Sequence, residues 1–250
     1  MNTVVITGAA SGMGLEATEL FLSRKWNVVM ADFDDVNGVK IAKKLSDLFP
    51  GQVYFHKTDV SNDKSVANLF DASIKQFKTI DSVINNAGIF VKGALHEVQE
   101  DAWDRIMNID VKSIYLMTKY FVPAMIEQQH GSIVNTASIS GITGDYNMAA
   151  YSAAKGAVVN LVRSMALDYG KYNIRVNNIV PGPTNTALFQ NNPQSVIDGF
   201  KNASPIGRLT EPEDIARMMF LLASDEGKSI TGQNIQVNTG FGIYSSQPVQ

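Results

Sequence analysis

Cysteine is absent from the 250-residue sequence, which excludes disulfides, thiolate zinc sites and cysteine nucleophiles. Histidine is scarce: His56, His96 and His130 lie far apart and lack the spacing of metal ligands. We therefore expect no metal site. Acid–base chemistry near neutral pH has to use a side chain other than histidine.

Basic clusters and long apolar runs are also missing. The formal net charge is −3, and without a basic patch we do not expect nucleic acid as a partner. No apolar run approaches the roughly 18 residues typical of a membrane span. The first residues, MNTVVITG, run straight into an apolar strand and lack the pattern of a signal peptide. We expect a cytosolic protein that does not bind membranes.

Short apolar runs rich in β-branched residues alternate with helical patterns along the chain. The predicted strands cover 3–7, 27–31, 52–56, 82–84, 132–135, 174–180 and 233–237. The predicted helices include 14–24, 36–48, 63–77, 103–129, 151–170 and 211–223. This alternation predicts an α/β fold with a parallel sheet covered on both faces. No linker, low-complexity tract or repeat divides the chain, so we predict a single domain over 1–250.

Three glycines follow the first predicted strand directly and lead into a helix: Gly8, Gly12 and Gly14. Glycines at such a turn let the backbone approach a pyrophosphate, and the helix N-terminus supplies N–H groups and partial positive charge. A glycine-rich turn can also be no more than a tight connection. The strand–turn–helix context favours a nucleotide site.

Asp32 ends the second predicted strand, 18 residues beyond Gly14. This is close to the spacing expected for an acid that binds the adenosine ribose. A carboxylate there repels a 2′-phosphate. The two residues that could offset this repulsion with a positive charge, Ser11 in the glycine turn and Phe33 after Asp32, are neutral, so the sequence favours NAD over NADP. The alternative is that Asp32 only begins the solvated turn DFDD.

A predicted buried helix opens with Tyr151, and Lys155 follows one turn later. Positions four apart lie on one face of a helix, so the phenol and the ammonium are neighbours. Taken alone, they could form a simple surface pair. Thirteen residues upstream, however, Ser138 follows a buried strand, and the glycine-containing loop between them can fold over a ligand. This context favours a catalytic group.

Taken together, these motifs resemble the short-chain dehydrogenase/reductase family over nearly the whole chain. Several of the motifs are weak individually, but their order and spacing together are highly specific. The resemblance implies a Rossmann-type doubly wound sheet of about seven strands, a nicotinamide cofactor, and hydride exchange with a carbinol carbon. Its carriers are TGAASGMG at 7–14, Asp59 and Val60, NNAG at 85–88, Ser138, YSAAK at 151–155, PGPTNT at 181–186 and ITGQNIQVNTG at 230–240.

The resemblance also implies residue roles. Tyr151 is the acid/base, Lys155 lowers its pKa and binds the nicotinamide ribose, and Ser138 hydrogen-bonds the substrate oxygen. Thr186 helps to hold the nicotinamide carboxamide, and Asp59 and Val60 contact the adenine. The other predicted cofactor-binding residues are Gly8, Ser11, Gly12, Met13, Gly14, Asp32, Phe33, Asn86, Ala87, Gly88, Pro181, Gly182 and Thr184.

The physics of these roles is consistent. A tyrosine with its ordinary pKa of about 10 is only about 0.1% phenolate at pH 7. Lowering that pKa by about 3 units requires roughly 4 kcal/mol of preferential stabilisation of the anion. A nearby lysine and an oxidised nicotinamide, both cationic, can supply it in a shielded site.

One residue departs from the family pattern. When WDRIMNIDVKSIYL is aligned on its Trp-Asp start, the family's usual catalytic asparagine falls on Asp110. Asn108 does not replace it, because two residues along a helix turn a side chain by about 200°. In the family this asparagine orders a water that links the active-site lysine to solvent. An ionised Asp110 favours protonated Lys155, whereas a buried and unpartnered one holds a proton itself. We predict retained catalysis with an altered pH profile.

The segment 187–204, within the long stretch 181–210 that we predict to be irregular, is expected to form a lid over the substrate. Its apolar side chains and those of the 139–148 loop suggest a partly apolar pocket for an uncharged secondary alcohol or ketone, with sugars and cyclic polyols as alternatives. The same residues can instead pack the lid onto its own domain. The predicted substrate-binding residues are Ser138, Tyr146, Met148, Tyr151, Leu188 and Phe189.

Two other functions stay open at this point. A 3-oxoacyl carrier reductase is disfavoured by Asp32 and by the lack of a basic docking patch. A non-catalytic nucleotide-binding regulatory protein is suggested only by Asp110. The family resemblance further implies a homodimer or homotetramer with helices 103–129 and 151–170 at the interface, and the C-terminal FGIYSSQPVQ is a candidate interface tail.

Overall fold

The computed structural model describes residues 1–243, and most of the predicted C-terminal tail, 244–250, lies outside the described residues. Within the described part, seven parallel strands form one sheet in the order β3-β2-β1-β4-β5-β6-β7. This confirms the predicted parallel α/β sheet. The strands are β1 (Thr3–Thr7), β2 (Asn27–Asp32), β3 (Val53–Lys57), β4 (Ser82–Asn85), β5 (Gly131–Thr136), β6 (Ile174–Pro181) and β7 (Asn234–Val237).

Helices cover both faces of this sheet. They are α1 (Gly12–Ser23), α2 (Asp35–Leu48), α3 (Asp63–Phe77), α4 (Glu100–Ile106), α5 (Ser113–Gln128), α6 (Ala149–Tyr169), α7 (Ala187–Gln190), α8 (Gln194–Ala203) and α9 (Pro212–Ala223). The buried side chains of α1, α2 and α9 pack on one face, and those of α3, α5 and α6 pack on the other. No helix in the described residues is long and apolar enough to cross a lipid bilayer.

Strand β1 shows why both faces are covered. Val4 and Ile6 enter the core beneath α1, while Val5 enters the core beneath α5. Side chains alternate between faces along a strand, so a run of apolar residues buries both sides of the sheet. Val4, Val5 and Ile6 are fully buried, and the hydrophobic runs therefore predict a central strand correctly.

Two regions differ from the expected elements. The predicted helix 103–129 begins at Glu100 and is interrupted by a π-helical segment, Met107–Lys112, between α4 and α5. A π-helical turn has no distinct sequence signature, and such turns frequently occur at functional sites. The prediction of an irregular stretch over 181–210 is wrong, because that stretch contains α7 and α8. Within α8 only Ile197 is buried, so its helical period is weak in the sequence.

A row of asparagine side chains crosses the sheet from β4 to β7 in register. Asn85 Nδ2 donates to Asn135 Oδ1 at 2.8 Å, and Asn135 Nδ2 donates to Asn178 Oδ1 at 3.0 Å. Asn178 Nδ2 donates to Asn234 Oδ1 at 2.7 Å and to the Val158 carbonyl of α6 at 2.9 Å. This asparagine ladder therefore attaches α6 to the sheet about one turn after Lys155.

Candidate active site

The residues singled out from the sequence gather at the carboxyl ends of the strands. The glycine turn follows β1, Asp32 ends β2, and Ser138 lies two residues after β5. Because all strands are parallel, these ends meet at one edge of the sheet, where open α/β sheets bind their ligands. The candidate site is therefore built from several distant segments of the chain.

Lys155 lies at the centre of a buried polar cluster. Its Nζ donates to the Thr136 carbonyl at 2.8 Å and lies 3.0 Å from Asp110 Oδ2. The side chains of Lys155 and Asp110 are 5% and 0% exposed, respectively. Asp110 Oδ1 accepts a hydrogen bond from the Ile89 N–H at 2.9 Å. The ammonium is thus held between the end of β5 and the π-helical segment.

The ion pair fits closely against Gly88 of the NNAG motif. A Cβ atom at Gly88 would lie 3.0 Å from Asp110 Oδ2 and 3.4 Å from Lys155 Nζ. The Lys155 ammonium, 3.0 Å away, is the partner of Asp110 Oδ2 among the described residues. Glycine at position 88 allows the loop after β4 to pass directly over this buried pair.

The buried charges hold the pKa of Lys155 above its ordinary value. Burial opposes the ammonium, but the Asp110 carboxylate and the Tyr151 phenol together outweigh that penalty. Lys155 is therefore protonated at neutral pH. This matches the expected effect of an ionised Asp110 on its neighbour.

Tyr151 begins the same helix and stacks on Phe90, with ring centroids 4.5 Å apart and an interplanar angle of 25°. Burial raises the pKa of the Tyr151 phenol, and the carboxylates of Asp110 and Asp145 raise it further. Lys155 and a hydrogen bond with Ser138 act in the opposite direction but do not prevail. The lowering predicted from the sequence requires the charges of both Lys155 and an oxidised nicotinamide, so it stays a prediction, and Lys155 by itself acts in the predicted direction. Asp110 opposes part of the effect of Lys155 on the phenol.

Ser138 is oriented by the short helical turn that follows it. Its Oγ accepts a hydrogen bond from the Ser140 N–H at 3.2 Å, and it is buried beside Tyr151. The Ser140 hydroxyl in turn donates to the Asp145 carboxylate. The hydroxyl keeps its one proton for donation, and its hydrogen bond with Tyr151 favours the phenolate.

The glycine turn after β1 is shaped for close backbone approach. Gly8 has φ +65°, and a Cβ there would lie 3.1 Å from the Ala87 Cα. A Cβ at Gly14 would lie 2.1 Å from the Gly8 carbonyl oxygen, so only glycine lets α1 start this close to the turn. The Asn86 side-chain amide nitrogen lies 3.1 Å and 2.7 Å from the Cβ positions of Gly8 and Gly14, so both glycines are needed for the loop after β4 to pack against this turn.

The N-terminus of α1 is suited to an anion. Ser11 is the N-cap residue, but its side chain makes no capping hydrogen bond, and the first turn, which contains Gly12 and Met13, carries no acidic residue. A Cβ at Gly12 would lie 3.6 Å from Thr186 Cγ2, so the segment after β6 faces the same turn. N–H groups and the helix dipole at such a terminus attract phosphate.

Asp32 joins this turn to the end of β2. Its Oδ2 accepts from the Ala10 N–H at 2.8 Å, and its Oδ1 accepts from the Asp34 N–H at 2.9 Å. Each carboxylate oxygen has a further lone pair, so Asp32 can still accept hydrogen bonds from ribose hydroxyls. Phe33, also predicted to bind the cofactor, is 71% exposed beside it.

Thr7, which sequence reasoning left without a role, ties the loop after β4 to the glycine turn. Its Oγ1 accepts from the N–H groups of Asn86 and Ala87, both at 3.0 Å. Asn86 Nδ2 donates back to the carbonyls of Thr7 at 3.1 Å and Gly8 at 3.3 Å. These bonds make the two predicted cofactor loops one unit.

Asp59 and Val60 lie after β3, close to their predicted location. Asp59 Oδ1 accepts from the N–H of Ser61 at 2.9 Å and from its hydroxyl at 2.6 Å. Val60 is buried. The Asp59 side chain thus supports a local turn, and a contact with adenine stays a prediction.

The PGPTNT segment continues from β6. Pro181 is the last residue of that strand, and a Cβ at Gly182 would lie 2.7 Å from Asn238 Cβ. Thr184 Oγ1 donates to the Gly182 carbonyl at 2.9 Å, whereas Thr186 Oγ1 accepts from the Phe189 N–H at 3.3 Å. Thr186 therefore caps α7 at the point where that helix faces the glycine turn.

The predicted substrate residues are only partly brought together. Met148 packs against the small cluster that contains Tyr151, whereas Tyr146 is 100% exposed. Leu188 is exposed, and Phe189 packs edge-to-face on Phe200 with centroids 5.4 Å apart. Phe200 in turn packs on Phe241 with centroids 5.6 Å apart, so Phe189 takes part in packing the lid onto its own domain, the alternative stated above.

Sequence reasoning missed several groups in the site. The Thr136 carbonyl and the Ile89 N–H are backbone groups, and residue types in the sequence do not indicate where such groups bind. Phe90 and Asp145 lie in loops whose course the sequence does not predict. The role of Thr7 could have been inferred from the sequence, because Thr7 opens the TGAASGMG motif and is the last residue of the first predicted strand.

Comparison with known proteins agrees with this geometry. A family model described as enoyl-(acyl carrier protein) reductase matches residues 8–242. The meso-2,3-butanediol dehydrogenase of Serratia marcescens is 38% identical over 247 residues, which are 99% of this chain and 97% of that protein. The chain belongs to the short-chain dehydrogenase/reductase family.

Two further similarities show the breadth of this family. A 3-oxoacyl-[acyl-carrier-protein] reductase of Thermotoga maritima is 33% identical over 96% of this chain and 97% of its own length. The crystal structure of levodione reductase superimposes with a TM-score of 0.90 at 28% identity and covers 96% of both chains. As a short-chain dehydrogenase/reductase, the protein is an oxidoreductase that interconverts secondary alcohols and ketones and uses a nicotinamide cofactor. The glycine turn and the N-terminus of α1, whose first turn carries no acidic residue, fit such a cofactor.

Proposed function

We propose that the protein is an NAD-dependent dehydrogenase/reductase of small uncharged secondary alcohols and ketones, with Tyr151 as its acid/base. The observation that carries this proposal is the buried cluster in which Tyr151 lies beside Ser138 on one side and Lys155 on the other. It brings a proton donor, an orienting hydroxyl and a fixed cation to the edge of the sheet where the glycine turn lies.

Asp32 supports NAD over NADP. Its carboxylate is held in place by the glycine turn and accepts ribose hydroxyls, while a 2′-phosphate would meet its negative charge. Ser11 and Phe33 supply no compensating cation. We assign Gly8, Gly12 and the start of α1 to the pyrophosphate.

In oxidation, the Tyr151 phenolate takes the proton of the substrate hydroxyl, and in reduction the phenol returns a proton to the ketone oxygen. Ser138 donates a hydrogen bond to the same oxygen and so fixes its position. Lys155, held by the Thr136 carbonyl and Asp110, favours the phenolate by its charge. A bound nicotinamide supplies or accepts the hydride at the carbinol carbon.

Charge and composition around the site favour an uncharged substrate. Asp145 is the one charged residue of the 139–148 loop, and Lys201 is the only basic residue within 187–204. A phosphate or polycarboxylate would find little electrostatic attraction there. The relative from Serratia marcescens is named for a vicinal diol, so small diols belong among the first compounds to test.

A homodimer or homotetramer is part of the proposal. Tyr115 on α5 and Leu167 on α6 are large apolar side chains exposed on the helices expected at the interface. Their burial between subunits would remove apolar surface from water. Sedimentation analysis of the full chain distinguishes these assemblies from a monomer.

The decisive experiment follows reduced-cofactor absorbance with NAD(H) and NADP(H) in parallel against secondary alcohols, diols, ketones, sugars and acyl thioesters. Tyr151→Phe is the matched variant, because phenylalanine keeps the ring that stacks on Phe90 and removes only the hydroxyl. We expect NAD-dependent turnover on alcohols or ketones and a loss of about 10³-fold in the variant.

Other outcomes discriminate between the alternatives. Turnover restricted to acyl thioesters with NADPH would establish the 3-oxoacyl reductase instead. Tight NAD binding without turnover on any substrate would favour the regulatory protein. Undiminished turnover in Tyr151→Phe would refute the assigned role of the phenol.

A further inference from the structure

The buried pair of Lys155 and Asp110 changes the net charge of the site. With both groups ionised their charges cancel, and the ammonium and carboxylate lie 3.0 Å apart with almost no solvent contact. Besides this pair, Asp145 is the titratable group that acts on Tyr151 in this cluster. An amide at position 110 would leave the ammonium as an uncompensated cation.

This pair is continuous with the glycine turn. A Cβ at Gly88 would contact both Asp110 Oδ2 and Lys155 Nζ, and a Cβ at Gly8 would contact the Ala87 Cα. Two residues of the loop after β4 therefore separate the buried pair from the turn that we assign to the pyrophosphate. A dinucleotide that extends from the turn toward Tyr151 passes along this loop, and the field of the pair acts on its reactive ring.

The two redox forms of a nicotinamide differ in charge at that ring, since the oxidised ring is cationic and the reduced ring is neutral. A buried cation nearby disfavours only the oxidised form, because interactions in a desolvated site are weakly screened. A carboxylate that cancels the cation removes this penalty. Only a group that interacts differently with the two forms can shift their relative affinities.

We propose that Asp110 sets the redox preference of the site, by cancelling the charge of Lys155 and so strengthening binding of the oxidised cofactor relative to the reduced one. This inference rests on the proposed function, since it requires a nicotinamide cofactor beside Lys155. Asp110 acts through the lysine and is a positioning residue in this respect.

The test measures equilibrium dissociation constants of NAD⁺ and NADH at pH 7 by calorimetry, without substrate. In Asp110→Asn we expect the ratio of the NAD⁺ constant to the NADH constant to rise about tenfold, within the usual range of coupling between charges in one site. For this two-electron couple a tenfold change equals about 30 mV in the potential of the bound cofactor. An unchanged ratio overturns the proposal.

A matched control removes the same charge outside the cluster. Asp104 is an exposed aspartate on α4, six residues before Asp110. We expect Asp104→Asn to leave the ratio within twofold of the native value. A tenfold shift in this variant would mean that the net charge of the protein, and not the buried pair, controls the preference, and would overturn the proposal.

A second pair of variants covers the case in which Asp110→Asn does not fold. Asp110→Asn combined with Lys155→Gln removes both charges, and we expect its ratio to lie within about threefold of the native one even if both affinities fall. Lys155→Gln alone removes the cation that opposes the oxidised ring, so we expect its ratio not to rise above the native value. A rise of about tenfold in the double variant contradicts the proposal, because that variant has no ammonium left to disfavour the oxidised cofactor.

The wild-type protein separates this inference from the proposed function. If it binds neither NAD⁺ nor NADH, the proposed function fails and this inference fails with it. If it binds both and the ratio does not respond to Asp110, only the role of Asp110 is refuted.

Discussion

The two halves of the sheet present functional groups by different means. In the half formed by β1, β2 and β3, the core residues are apolar, and the candidate ligand groups are mainly backbone N–H groups of the glycine turn and α1. In the half formed by β4, β5, β6 and β7, buried asparagines and the Lys155–Asp110 pair replace part of the apolar core.

This difference has a physical consequence. A main-chain cradle depends on backbone conformation, so replacing its one acidic side chain, Asp32, should change ligand choice more than stability. In the other half the ladder asparagines and the Lys155–Asp110 pair are partners of one another, and a single replacement leaves a buried partner unsatisfied. Stability and chemistry are therefore coupled there.

The largest effect is expected from Lys155→Met. The Asp110 carboxylate would lose its counter-charge in a buried site, and we expect the free energy of unfolding to fall by about 4 kcal/mol. Adding Asp110→Asn should restore most of this loss, because the second change removes the unpaired charge. Denaturant unfolding of the three proteins measures both effects. A loss below about 1 kcal/mol in the single variant would show that this half does not depend on paired groups.

The asparagine ladder gives the next largest effect. Asn135→Leu removes the partners of Asn85 Nδ2 and Asn178 Oδ1, and we expect a loss of about 3 kcal/mol in the free energy of unfolding. The control in the other half is Met30→Leu at a fully buried position of β2, where a volume-conserving apolar change should cost less than about 1.5 kcal/mol. Equal losses of the two variants in urea unfolding would contradict the difference between the two halves of the sheet.

Asp32→Asn probes the main-chain half. Losing charged hydrogen bonds to ribose should weaken kcat/KM with NAD by about tenfold and raise the NADP-to-NAD ratio, with a stability change of about 1 kcal/mol. Asp35→Asn, in the same turn but exposed, should leave the ratio unchanged. If Asp32→Asn left cofactor choice unaltered, Asp32 would be a turn residue only.

The smallest effect concerns pH. Burial raises the pKa of Tyr151, and the Asp110 carboxylate adds to that rise, so Asp110→Asn lowers it. Alcohol oxidation needs the phenolate and increases as pH rises through this pKa. We therefore expect the midpoint of the kcat/KM profile for oxidation to move to lower pH. Superimposable profiles of the two proteins would contradict this prediction.

Local patterns in the sequence predicted the architecture well. Apolar runs indicated all seven strands, because a buried parallel strand needs apolar residues on both faces. The glycine positions indicated a turn with close backbone approach, which the structure has at Gly8 and Gly14. The spacing of Tyr151 and Lys155 alone predicted that they are neighbours on one face of a helix, which is α6 in the structure.

Other features required the tertiary structure. The π-helical segment, the ladder and the contacts of Thr136, Ile89 and Phe90 join segments distant in sequence, and backbone partners have no residue signature. The direction of the Tyr151 pKa likewise depends on burial and on the carboxylates that surround the phenol. The sequence by itself determined which elements form and which reactive side chains exist, since these follow from local periodicity and residue chemistry. The tertiary structure alone decided how deeply Lys155 and Asp110 are buried and how close they lie, because solvation and Coulomb energy depend on distances through space.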